Sequence, residues 1–139
     1  MKKNGKNQFV YVLTCVDPAN IDTLVKIFNH RFGKGNYFMP GELGGVKVLV
    51  DPAKKTDREF VLNKIKTSDR VHKIDLILLV NHSGCGAYRL AGHVFENKDE
   101  EESFHAGEMK KASTLLQKKF PDTKLETGYF LKKEQKMTW

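Results

Sequence analysis

Cysteine is scarce in this chain: Cys15 and Cys85 are the only two among 139 residues. That scarcity excludes a disulfide-stapled miniature fold, and a chain of this length buries a hydrophobic core without staples. Long apolar runs are also missing. The longest after the opening one, Ile74 to Val80, is broken by Asp75 and is far too short to span a bilayer. There is no internal repeat and no low-complexity segment; the one charge run, Lys98-Asp99-Glu100-Glu101-Glu102, reads as a solvated loop or a helix start. No stretch interleaves Arg or Lys with aromatics in the manner of a single-strand nucleic-acid platform. The formal charge of +7 therefore describes a lysine-rich solvated surface, and we expect neither nucleic acid nor membrane as a partner.

What is present is an ordinary globular composition, 40% hydrophobic and 29% charged, which predicts one folded domain over residues 1–139 with a flexible N-terminus over residues 1–8. Met1-Lys2-Lys3 followed by the apolar stretch from Phe9 to Cys15 has the outline of a lipoprotein leader. Three features argue against it: the apolar stretch is barely long enough for a signal core, Thr14 is a poor residue before a cleavage point, and Asp17-Pro18 follows at once. We expect a cytoplasmic protein whose two thiols serve metal or redox chemistry rather than a disulfide.

Strand and helix signals alternate along the chain. Phe9 to Val16 is rich in β-branched and aromatic residues and stops at Asp17-Pro18, as a strand does. Ile21, Leu24, Val25, Phe28 and Phe32 then recur at helical spacing, with Asn20 or Asp22 as caps and Gly33 and Gly35 as terminators. Asn36 to Met39 reads as a short second strand, and Val46 to Val50 fits a strand or a helical turn equally well. Thr56 with Glu59 has the spacing of a capping box ahead of a helix that ends before His72. Ile74 to Val80 is the pattern of a strand buried on both faces. Glu108 to Phe120 carries a helical stripe of Met109, Ala112, Leu115, Leu116 and Phe120, and a final strand covers Lys124 to Leu131. This order predicts an α/β fold, a mainly parallel β-sheet flanked by helices, with ligands bound at the carboxyl ends of the strands.

Cys15 follows the first strand, and His82 and Cys85 follow the central one, so all three fall at those carboxyl ends. Two thiolates and an imidazole suit Zn2+, and three protein ligands leave a fourth position for water or substrate. Asp17, two residues beyond Cys15, points the same way in an extended chain; it is placed either to accept a hydrogen bond at the fourth position or to bind the metal directly. As a plainer role, Asp17 is a turn residue ahead of Pro18. Gly84 and Gly86 flank Cys85 where a tight turn or close backbone approach is needed. His30, His72, His93 and His105 are candidates for proton transfer, each expected at the surface or half-buried, and Phe38 and Tyr88 are candidate walls of an apolar pocket.

Cys15-Val16-Asp17 and His82-Ser83-Gly84-Cys85-Gly86 resemble the Cys-x-Asp-x-Arg and His-x-x-Cys motifs of the β-class carbonic anhydrases. The order of loops, helices and strands is similar from Phe9 to Leu131, and Gly44-Gly45-Val46-Lys47 ahead of Asp57-Arg58-Glu59-Phe60 resembles a subgroup of short carbonic-anhydrase-like chains. The resemblance implies a helical or looped Val46 to Val50, a homodimer or larger assembly, and Cys15, His82 and Cys85 as zinc ligands. It also implies hydration of carbon dioxide to bicarbonate by a zinc-bound hydroxide, with Asp17 as gate. Where the family carries arginine two residues after this aspartate, the chain has Ala19. A carboxylate beside a divalent cation, with no competing cation, prefers the metal. Asp17 as fourth ligand would give a catalytically silent zinc-binding protein of the same fold; a third reading is hydrolysis of carbonyl sulfide or carbon disulfide. Arg31 and Arg89 are the candidate replacements for the missing arginine.

Overall fold

The computed structural model describes residues 8–139, so most of the N-terminal stretch expected to be flexible lies outside the described residues. The elements run β1 (Val10–Thr14), α1 (Ile21–Phe32), β2 (Tyr37–Phe38), α2 (Lys47–Val50), α3 (Lys55–Val71), β3 (Leu76–His82), α4 (Gly86–Leu90), α5 (Lys98–Lys119), β4 (Lys124–Leu131) and β5 (Lys136–Thr138). The five strands form one sheet in the order β2-β1-β3-β4-β5, parallel except for the β4–β5 hairpin. The expected α/β architecture is therefore observed.

The two faces of the sheet are set by alternation along its central strands. Val10, Val12, Leu76, Leu78 and Val80 point to one face, where Leu24, Phe28 and Phe32 of α1 cover them. Tyr11, Leu13, Ile77 and Leu79 point to the other, covered by Leu49 of α2, Val61 and Ile65 of α3, and Met109, Ala112 and Leu116 of α5. The layering follows from chain direction. From β1 the chain steps outward to β2, whereas from β3 it steps the opposite way to β4. Right-handed crossovers then place α1 and α5 on opposite faces. The reversal leaves a crevice at the carboxyl ends of β1 and β3, the switch point at which such sheets bind ligands.

Val46 to Val50 contains a helical turn, α2, the alternative that the family resemblance implied. Several boundaries differ from the sequence-based expectation. Helix α3 begins before Thr56, because the Asp57 carboxylate, not Glu59, accepts a backbone N–H, that of Lys54 at 3.2 Å. Helix α5 begins at Lys98 rather than near Glu108: the Asn97 side chain accepts the Glu100 N–H, and Asp99, Glu100 and Glu101 sit in the first turn, where the helix dipole favours acidic groups. The charge run is thus the helix start. Strand β3 extends through Asn81 to His82, which pairs in register with Phe130 of β4. The short strand β5 has no strong apolar pattern and is held by pairing to the end of β4.

Leu78 is fully buried at the centre of the sheet. Leu78→Ala is expected to lower the unfolding free energy in urea by about 3 kcal/mol through lost transfer energy and a residual cavity. Val71→Ala, on a residue 66% exposed at the end of α3, should change it by less than about 0.5 kcal/mol.

Candidate metal centre

Because β1 and β3 pair in parallel with Thr14 opposite Val80, the residues that leave the two strands emerge side by side. Cys15 leaves β1, His82 ends β3, and Gly84, at φ 65°, turns the chain so that Cys85 comes back beside them. The ligating atoms of Cys15, His82 and Cys85 all lie within 4.8 Å of one another, and all three residues are buried. His82 turns Nδ1 to the Ser83 carbonyl at 2.6 Å, which puts its proton there and leaves Nε2 as a buried lone pair with no hydrogen-bond partner. Gly44 donates its N–H to Cys15 Sγ at 3.4 Å. The next residue, Gly45, has φ 60°, and a Cβ there would stand 2.6 Å from Asn81 Oδ1, so only glycine lets this loop approach. From the other side, Glu101 of α5 accepts the Gly84 N–H at 2.8 Å and pins the turn that carries Cys85.

The electrostatics of the trio call for a cation. The Cys85 thiol beside Cys15, together with the His82 ring and the Gly44 N–H, pulls the Cys15 thiol down toward thiolate. The same pairing with Cys15, with burial, pushes Cys85 up. Burial opposes protonation of His82, yet the adjacent Cys15 sulfur, the Ser83 carbonyl and the Asp17 carboxylate together outweigh it and raise the imidazole. Left to themselves, the three groups share protons because two buried thiolates repel each other. A divalent ion removes that conflict, ionising both sulfurs and taking up the idle Nε2. The donor set and the unpartnered nitrogen therefore fit a bound metal ion.

Asp17 stands at the edge of this trio, with Oδ2 4.0 Å from His82 Nε2. Both of its oxygens are engaged. Oδ1 accepts the N–H of Ala19 at 2.9 Å, the turn anticipated ahead of Pro18, and Oδ2 meets Lys132 Nζ at 2.8 Å. The Lys132 ammonium is the main reason that the Asp17 carboxyl lies below its ordinary range. Neither arginine proposed from the sequence makes this contact. Arg31 pairs with Glu126 on β4 and stacks on Trp139, away from the site. Arg89 is exposed and lines the same cleft as Asp17, but among the described residues the cation on Asp17 is Lys132.

The cleft, of about 450 Å³, is lined by Cys15, Asp17, Arg89 and Lys132 on its polar side and by Val16, Leu43, Ala87 and Leu90 on its apolar side. Tyr88 is buried against the two cysteines, whereas Phe38 packs beside the core under the sheet and lines no part of the cleft. His30, His72, His93 and His105 do not line it either. His105 corrects the expectation of a surface or half-buried ring, being fully buried on α5. Its Nδ1 accepts from the Asn81 amide at 2.9 Å, and Asn81 Oδ1 in turn accepts the Val46 N–H at 3.2 Å. Asn81 thus ties the strand that carries His82 to both α5 and the Gly44-Gly45 turn. A polar residue beside His82 at the end of an otherwise apolar buried strand was a visible signal for it; Lys132 and Glu101 carried none, because their roles depend on distant chain segments.

The family described as "Putative carbonic anhydrase" matches this chain over residues 5–138. An uncharacterized protein of Rickettsia conorii is 25% identical over 118 residues, which cover 84% of this chain and 63% of that protein. An uncharacterized protein of Rickettsia bellii is 27% identical over 119 residues, covering 84% of this chain and 72% of its relative. The chain thus spans less than two thirds of the first relative's length. On the strength of the family match, the chain belongs to the putative carbonic anhydrase family.

Two measurements check the geometry. Titrated with zinc against a chelator, the protein should take up about one ion per chain, and Cys85→Ser or His82→Ala should weaken binding by about 100-fold or more. Burial first, then repulsion from His82 and His93, lowers His105 from 6.5 to about 4. The unfolded chain therefore takes a proton that the folded chain refuses between those values. The stabilisation from His105 is complete above about pH 6.5 and is lost as the pH falls toward 4, by roughly 3 kcal/mol at most. In metal-free protein, His105→Gln should flatten the pH dependence of unfolding free energy across that window by about one proton.

Proposed function

We propose that this protein is a zinc-dependent carbonic anhydrase that interconverts carbon dioxide and bicarbonate, with Cys15, His82 and Cys85 as metal ligands and Asp17 as the gate at the fourth position. The observation that carries the reading is the tethered carboxylate: Asp17 faces the buried trio, with Oδ2 4.0 Å from His82 Nε2, yet both its oxygens are occupied by Ala19 and Lys132. Bound to the trio, zinc supplies a Lewis acid that brings the pKa of a water ligand near neutrality.

The chain's own groups then have separate tasks. Asp17, kept ionised by Lys132, accepts a hydrogen bond from the attacking oxygen and so orients its lone pair. Val16, Leu43, Ala87 and Leu90 offer an apolar wall to a small neutral substrate beside that oxygen. Arg89 and Lys132 on the polar side of the cleft attract the anionic product. The Ser83 carbonyl fixes the His82 tautomer and leaves Nε2 free to hold a metal, the role second partners of ligating histidines generally play.

The second reading is a catalytically silent zinc protein closed by Asp17, and the short gap between Asp17 and His82 is what favours it. Carbonyl sulfide and carbon disulfide are small neutral molecules that the same apolar wall would admit, which makes a hydrolase the third. No helix among the described residues is long and apolar enough to cross a membrane. We place the protein in the cytoplasm as a homodimer or larger homo-oligomer. The support for assembly is the apolar rim beside the cleft, where Leu43 is 72%, Phe60 66% and Leu90 90% exposed.

Zinc-loaded protein should hydrate carbon dioxide in a stopped-flow indicator assay, with a rate that rises with pH, and Asp17→Asn should slow it by about 100-fold. Carbonyl sulfide and carbon disulfide should turn over far more slowly. Fully loaded protein without hydration activity at alkaline pH would sink the enzymatic reading in favour of the closed site.

A further inference from the structure

Lys132 reaches Asp17 through a turn that is pinned at both ends. Its backbone N–H donates to the Ser83 hydroxyl at 2.8 Å, and the Ser83 N–H donates to the Phe130 carbonyl at 3.0 Å, so the exit of β4 is tied to the residue that follows His82. Gln135, at φ 52°, donates to the Lys132 carbonyl at 2.7 Å and accepts from Thr23 of α1 at 2.6 Å. Its amide also approaches Asn20 Oδ1 at 3.3 Å. The hairpin between β4 and β5 is thereby fastened to α1 and to the metal loop together, which fixes the root of the Lys132 side chain over Asp17.

An ion pair whose lysine side chain is 38% exposed adds little to stability. Its consequence lies in competition. Asp17 Oδ2 has two cations to choose between, the ammonium at 2.8 Å and a dication held by Cys15, His82 and Cys85, with His82 Nε2 at 4.0 Å. The divalent charge wins unless the lysine contact and the Ala19 N–H together hold the carboxylate back. Position 19 supplies only that backbone N–H.

We propose that Lys132 is a positioning residue that holds Asp17 off the metal and keeps the fourth coordination position exchangeable. The consequence for turnover rests on the carbonic anhydrase reading; the restraint on Asp17 does not. Loss of Lys132 lets Asp17 become the fourth ligand, which tightens metal binding and closes the site. Retaining a cation at 132 retains the open state.

The test compares the wild type with Lys132→Met, Lys132→Gln and Lys132→Arg, and with the double variant Asp17→Asn/Lys132→Met. Met and Gln keep most of the side-chain length at a half-buried turn, so that one serves if the other fails to fold. Zinc affinity is read by chelator competition, and access to the metal by the visible spectrum of cobalt-substituted protein under thiocyanate. The expected result is about tenfold or tighter zinc binding in the Met and Gln variants and loss of the thiocyanate response. Both effects should vanish in the double variant, and Lys132→Arg should match the wild type in zinc affinity and in the thiocyanate response. Equal affinity and equal thiocyanate response in wild type and Lys132→Met would overturn the proposal, whatever the hydration activity. If the wild type fails to hydrate carbon dioxide while the Asp17-dependent gain in affinity is present, the enzymatic reading fails and the role of Lys132 stands.

Discussion

The parallel pairing of β1 with β3 is the constraint on which the rest of this structure depends. Five consecutive register pairs, from Val10 with Leu76 to Thr14 with Val80, bring two strand ends level. A one-residue slip would turn every side chain of one strand to the opposite face. Cys15 would then face away from His82 and Cys85, and the apolar faces covered by α1 and α5 would be exposed. The register that buries the core is therefore the register that assembles the trio. Burial and chemistry are not independent here, because β3 is fully buried along its whole length and its last residue is His82.

Around that alignment the chain builds three clamps, each from a different element. Helix α5 holds the loop that carries Cys85 through Glu101 and the Gly84 N–H, and holds β3 through His105 and Asn81. The Gly44-Gly45 turn holds Cys15 Sγ and packs on Asn81 too closely for any larger residue. The β4–β5 hairpin holds Asp17 through Lys132. Buried polar groups of this kind are costly unless partnered, and His82 Nε2 is the one at the trio that has no partner. Its position between two sulfurs and a carboxylate explains why a metal ion fits there.

Much of this was legible in the sequence. The final parallel strand has the predicted bounds, Lys124–Leu131, because its signal is local and Pro121 and the preceding helix delimit it. Helix α1 and the central strand followed from periodicity and from a nearly continuous Ile, Leu and Val run. Strand β5 was not legible, because it is held by its neighbour rather than by its own pattern. The start of α5 was legible only as one of two readings of the charge run, loop or helix start, because it rests on a cap and a dipole effect in a stretch with no apolar stripe. His105 was expected at the surface or half-buried because no local pattern reports that Asn81 of β3 will pair with it from the sheet.

By itself the sequence determined the candidate donors: cysteine and histidine at the carboxyl ends of two β-type runs, and a carboxylate two residues past the first. Residue chemistry and strand periodicity are short-range properties, readable without a fold. Only the tertiary structure decided which cation meets that carboxylate. The missing cation came neither from Arg31 nor from Arg89 but from Lys132, at the far end of β4. A salt bridge depends on distance in space, and the packing of β4 beside β3, with Ser83 as the tie between them, set that distance.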